Sequence, residues 1–150
     1  MPEPLMKRLK TARMCLNFNL KRTSRLVNQY YDRVLRPTGL RAGQFNLMVP
    51  MALRGALSVT ELAESLGMER SALARNLKPL EREGWIAISV GTDRRARIVA
   101  LTPKGERLLQ KAYPYWEKAQ SHLAAVLSHK DLNGLLKGLR AASDAARAVG

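Results

Sequence analysis

The stretch SVTELAESLGMERSALARNLKPLEREGW, residues 58–85, holds two short helical patterns with only three or four residues to turn between them. Ser58, three residues ahead of Glu61, has the spacing of a capping box, in which each side chain satisfies the other residue's free amide. Gly67 closes this first helix, since glycine enters the left-handed conformation of a helix end without steric cost. The second helix is expected over about 69–83. It places Leu73, Leu77 and Leu80 on one face and Ser71, Arg75, Lys78 and Arg82 on the other.

Gly84 ends that helix. Ile86, Ile88 and Val90 then fall at strand spacing, a Gly-containing turn follows, and RIVAL at 97–101 completes a two-stranded hairpin. Thr102 caps the next helix, and Pro103 suits its first position. On the N-terminal side, Leu5, Leu9, Ala12, Leu16, Leu20, Val27, Tyr31 and Leu35 recur close to every 3.6 residues, which predicts one long amphipathic helix to about Leu35. RPTGL at 36–40 breaks it. A second helix is expected over 41–54, bent where Pro50 removes a hydrogen bond. Two more are expected over 103–127 and 131–148. Their apolar stripes, with that of the first helix, exceed what the small central unit can cover, so a second copy of the chain is expected to supply the missing surface as a twofold dimer.

Charge points to the partner. The 150 residues carry 26 Lys and Arg against 12 Asp and Glu, a net +14, more than solubility requires and suited to a polyanion. The excess is spread along the chain, with ten basic and two acidic residues before position 50, eight and six over 50–100, and eight and four beyond. One cysteine, Cys15, permits neither an intrachain disulfide nor a zinc cluster, so a reducing compartment, the cytoplasm, is expected. The seven residues between Arg13 and Lys21 are too few and too polar for a signal-peptide core, and no apolar run approaches the roughly 18 residues of a membrane helix.

Short helix, tight turn, second helix and hairpin form the order of a winged helix-turn-helix, whose second helix enters the DNA major groove. The chain resembles the MarR family of bacterial transcription regulators. SVTELAESLGMERSALARNLKPLEREGWI is similar to the family's helix-turn-helix, DRRARIVALTPKG to its wing, LVNQYYDRVLRPTGLRAGQFNLM to its first two helices and YPYWEKAQ to its fifth. The fold expected is mainly α with a small β-hairpin wing. Residues 1–150 form a single unit, with 41–101 as the winged helix-turn-helix and 1–35 and 103–150 as dimerisation helices. The resemblance implies an intertwined homodimer that binds a pseudo-palindromic double-stranded DNA operator, usually as a repressor, and responds to a small-molecule effector.

Arg70, Ser71, Arg75 and Asn76 lie near the start and on the polar face of the second helix, where arginine-to-guanine and amide-to-adenine contacts are geometrically possible. Lys78 and Arg82 lie farther along and suit phosphates. In the wing, the resemblance implies that Asp93 orients Arg95 into the minor groove, with Arg94 and Arg97 adding phosphate contacts. The bland alternatives are a solvated charged face and an ordinary surface ion pair.

The first helix is unusually basic, through Lys7, Arg8, Lys10, Arg13, Lys21, Arg22 and Arg25. That is either a solvated face or a collector of an anionic, small aromatic effector, in a cleft lined by Phe18, Arg25, Phe45 and Trp116. Cys15 suggests a redox-responsive alternative. Among peroxide-sensing relatives, however, the reactive position aligned through TSRLVNQ falls on Asn17, and a thiol among apolar neighbours is expected to be buried and inert. His122 and His129 stand seven apart without a carboxylate cluster, so no metal and no cofactor are expected. An enzyme finds no support: there is no Gly-rich phosphate loop, nucleophile elbow or paired carboxylate setting. A winged-helix module that binds RNA or protein is the remaining alternative.

Overall fold

A computed structural model describes residues 5, 9–91 and 96–148. The chain enters through a 3-10 turn, Lys10–Met14, and continues as α1, Leu16–Leu35. The single helix expected from Leu5 to Leu35 is therefore interrupted. Cys15 is extended at the break (φ −63°, ψ 118°). The carbonyls exposed there are taken by the Asn19 side chain, whose Nδ2 donates to Arg13 O at 2.8 Å and to Cys15 O at 2.9 Å. Asparagine offers the backbone this local alternative to a continuous helix.

After the 3-10 turn Arg36–Thr38, α2 runs Ala42–Arg54 and continues through Pro50. A cap from outside the helix starts it: the Ala42 N–H donates to Asp32 Oδ1 of α1 at 2.7 Å. There follow β1 (Leu57–Ser58), α3 (Val59–Leu66), α4 (Arg70–Arg82), β2 (Ile86–Val90), β3 (Arg97–Leu101), α5 (Pro103–Val126) and α6 (His129–Ala148). The last helix starts two residues earlier than expected, where the Ser128 hydroxyl accepts the Asp131 N–H at 3.1 Å.

The sheet has a strand that the sequence did not announce. Its order is β1-β3-β2, antiparallel throughout, with Leu57 opposite Val99 and Ile86 opposite Leu101. Leu57, Ile86 and Val99 are buried, and they join Leu62, Leu73, Leu77 and Leu80 in one core with Met48 and Met51 of α2. The winged unit is thus closed on itself. The long helices are not: α1 buries only Leu35, and among the described side chains of α6 none is buried. α1 lies against α5, tied by the Tyr31 hydroxyl donating to Gln120 Oε1 at 2.7 Å. Among the described residues, no helix is long and apolar enough to cross a membrane.

Candidate nucleic-acid interface

α3 starts as the sequence predicts. The Ser58 N–H donates to Glu61 Oε2 at 2.8 Å, and the Glu61 N–H donates to Ser58 Oγ at 3.1 Å. The Ser58 side chain beside it, and then the Ser58 amide, hold the Glu61 carboxyl below its ordinary range, with Arg54 adding a smaller effect. Ser58 also ends β1, so one residue fastens the helix start to the wing.

At the other end, Gly67 takes the left-handed conformation (φ 61°, ψ 36°), and the Met68 N–H returns to Ala63 O at 2.9 Å. Glu69 is extended (φ −64°), and α4 begins at Arg70. α4 can be placed firmly because one face is sealed: Leu73, Leu77 and Leu80 are fully buried. The helical period then leaves Ser71, Arg75, Lys78 and Arg82 exposed together on the opposite side, with Arg70 exposed at the leading end. A row of cations on a helix whose other face is immobilised is a preorganised surface for a polyanion.

Asn76 is exposed but turned aside from that row. It lines a cavity of about 800 Å3 between α1, the start of α2 and α4, together with Asn28, Asp32, Arg41 and Gln44. The structure therefore joins Arg70, Ser71, Arg75, Lys78 and Arg82 in one surface and places Asn76 at its edge, on the wall of this cleft.

Beside α4, β2 and β3 pair from Ile86–Leu101 out to Val90–Arg97, and the Gly91 N–H donates to Ala96 O at 2.8 Å beyond the last pair. Arg97 is exposed on β3. Asp93, Arg94 and Arg95 lie outside the described residues.

The four expected effector residues are not brought together. Phe45 and Trp116 stack with ring centroids 5.9 Å apart and line an apolar cavity of about 470 Å3 with Val49, Leu53 and Tyr113. Phe18, 57% exposed, does not line this cavity, and Arg25 borders a separate shallow hollow on α1 with Leu20, Lys21 and Ser24. Cys15, expected to be buried, is exposed: it lies where the helix breaks, and its apolar neighbours Met14, Leu16 and Phe18 are exposed as well. His122 lies against the Tyr30 ring at 5.6 Å. Among the described residues, no group of three His, Cys, Asp or Glu side chains is placed to hold a metal.

Sequence reasoning missed Asp32 and the wide cavity. The cap on Ala42 comes from ten residues upstream on another helix, and no spacing rule within one helix reveals it.

Similar proteins agree with this architecture. A family model described as MarR family matches residues 39–96, from just after the 3-10 turn to the residue before β3. The transcriptional regulator MosR of M. tuberculosis, solved in complex with DNA, is 34% identical, with 89% of this chain and 98% of that one covered at a TM-score of 0.79. The transcriptional repressor CouR, bound to a 23-mer DNA duplex, is 25% identical, with 90% and 96% covered and a TM-score of 0.79. The HTH-type transcriptional regulator YwoH of Bacillus subtilis is 25% identical over 75% of this chain and 82% of its own length. The winged helix-turn-helix, its flanking helices and these likenesses place the chain in the MarR family of DNA-binding transcriptional regulators, which are not enzymes.

Proposed function

We propose that the protein acts as a homodimeric repressor, in which two copies of α4 enter successive major grooves of a pseudo-palindromic operator and a small effector releases them. The observation that carries this reading is the two-faced character of α4: three leucines fully buried on one side and four exposed polar or cationic side chains on the other. Ser71 and Arg75, with Arg70 at the helix start, would face base edges, where an arginine can donate two hydrogen bonds to guanine. Lys78, Arg82 and Arg97 would take phosphates and set the register. Asp93, Arg94 and Arg95 extend the same role to the wing, with Arg95 as the minor-groove contact.

Pairing through the terminal helices follows from their uncovered apolar residues. Leu135 and Leu136 of α6 are 48% and 42% exposed, and Leu16 and Leu26 of α1 are exposed as well. Operator reading needs both heads, since a dimer sums two half-sites about one helical turn apart.

The cavity walled by Asn28 and Asp32 of α1 and by Asn76 of α4 is the better effector site, because a ligand there touches the dimer helices and the reading helix at once. A ligand shifts an equilibrium only through different affinity for its two states, and a site spanning both elements supplies that difference. The Phe45–Trp116 cavity offers stacking surface without a link to α4.

The test is a gel shift with duplex DNA against RNA of matched sequence, repeated over a range of salt. The expected result is a duplex-selective complex whose affinity falls linearly in the logarithm of salt concentration. Equal binding to RNA, or binding insensitive to salt, contradicts the reading.

A further inference from the structure

The end of α4 is fastened to the start of α5 by contacts that take no part in the DNA-facing row. The Thr102 N–H donates to Trp85 O at 3.0 Å, the Thr102 hydroxyl donates to Gly84 O at 2.6 Å, and the Lys104 ammonium donates to Glu83 O at 2.7 Å. Carbonyls left free where a helix ends need partners, and here the three residues after α4 find theirs at the beginning of α5. Thr102 serves both sides, since its hydroxyl also accepts the Gly105 N–H at 3.1 Å as the cap of α5.

Gly105 sits at the middle of this joint. It is buried, and a Cβ there would press into Trp85 O and lie 2.9 Å from the Trp85 carbonyl carbon. Both atoms are backbone, so no flexible side chain can yield. Any larger residue must push α5 away from the strand that follows α4, by something on the order of an ångström to regain ordinary contact.

We propose that this joint, centred on Gly105, is the positioning element that sets the direction of α4 relative to the dimer-forming helices and thereby selects the separation of the two operator half-sites. The inference rests on α4 being the DNA-reading helix of a dimer. The geometry provides leverage. α4 has 13 residues, about 20 Å at 1.5 Å per residue. An ångström of displacement within about one helix radius of the pivot swings its far end by several ångström, comparable with the 3.4 Å rise of one base pair. α5 lies against α1 along the same molecule, so the joint transmits the orientation of the dimer helices directly to α4.

The test is selection from a pool of duplexes randomised over about three helical turns, run with the parent, Gly105→Ala, Thr102→Val, Thr102→Ser and Lys104→Ala. The parent should enrich paired half-sites at one separation. Gly105→Ala and Thr102→Val should enrich the same half-site sequence, because the exposed row on α4 is unchanged, at a separation shifted by at least one base pair or spread over several. Thr102→Ser keeps the hydroxyl and should keep the parent's separation. Lys104→Ala removes an exposed side chain, stays folded, and should broaden the separations; it carries the test if Gly105→Ala does not fold. Variants that fold, lose affinity uniformly and still enrich only the parent's separation overturn the proposal. Failure of the parent itself to enrich any paired site removes the DNA-reading dimer on which it rests, an outcome distinguishable because it precedes every variant.

Discussion

Ser58 shows how much one side chain does in this protein. Its hydroxyl caps α3, its amide is held by Glu61, and its backbone pairs with Ile98 in the sheet. Replacing it with alanine should lower stability by about 1 kcal/mol, measurable by urea denaturation, and the substitution at the solvent edge should leave the core intact. The pH dependence follows from Glu61, whose carboxyl is held below its ordinary range by the Ser58 hydroxyl and amide. A depressed folded pKa adds stability above the unfolded value and loses it as pH falls through the folded value. The stability gap between the parent and Glu61→Ala should therefore be largest near neutrality and close on acidification below the usual glutamate range; a gap independent of pH would contradict the bond pattern. The Ser58–Glu61 pair was legible because capping is a local, fixed spacing. Asp32, which caps Ala42 from another helix, was not, because its role depends on how two helices cross. Asp32→Ala should cost about 0.5–2 kcal/mol while Asp32→Asn, which keeps an acceptor, recovers most of it.

Among the elements, α4 and the hairpin were legible because their periods are unambiguous: 3.6 for Leu73, Leu77 and Leu80, and 2 for Ile86, Ile88 and Val90. β1 was not, since two residues carry no period and its existence depends on Leu57 meeting Val99 across the sheet. The break at Cys15 was hidden by the reverse effect. Apolar spacing continues through it, while the side chain of Asn19 satisfies the carbonyls that make the interruption tolerable. At this scale α6 provides a sharp test. Removing residues 129–150 deletes an element with no described buried side chain, so a protein that acted as a monomer would be little affected. The expected outcome is loss of the dimer in sedimentation, with aggregation from the α1 and α5 surface that α6 and the partner would cover.

At the scale of the whole molecule, the closed winged unit and the open terminal helices divide the labour. In the proposed function the first holds the reading surface, and the second brings two of them to a fixed separation. That apolar stripes run along the flanking helices was legible in the sequence; the cleft against Asn76 was not, since its walls come from four helices that no local pattern relates. Light scattering at micromolar concentration should give about twice the chain mass. The most direct test of DNA reading by α4 compares the affinities of the parent, Arg75→Ala and Arg97→Ala for a selected operator and for an unrelated duplex, at two salt concentrations. Arg75→Ala should lose about 1–3 kcal/mol on the operator and much less on unrelated DNA, while Arg97→Ala should weaken both alike and reduce the salt slope by about one phosphate equivalent. If Arg75→Ala binds operator and unrelated DNA with the parent's affinities, α4 does not read bases.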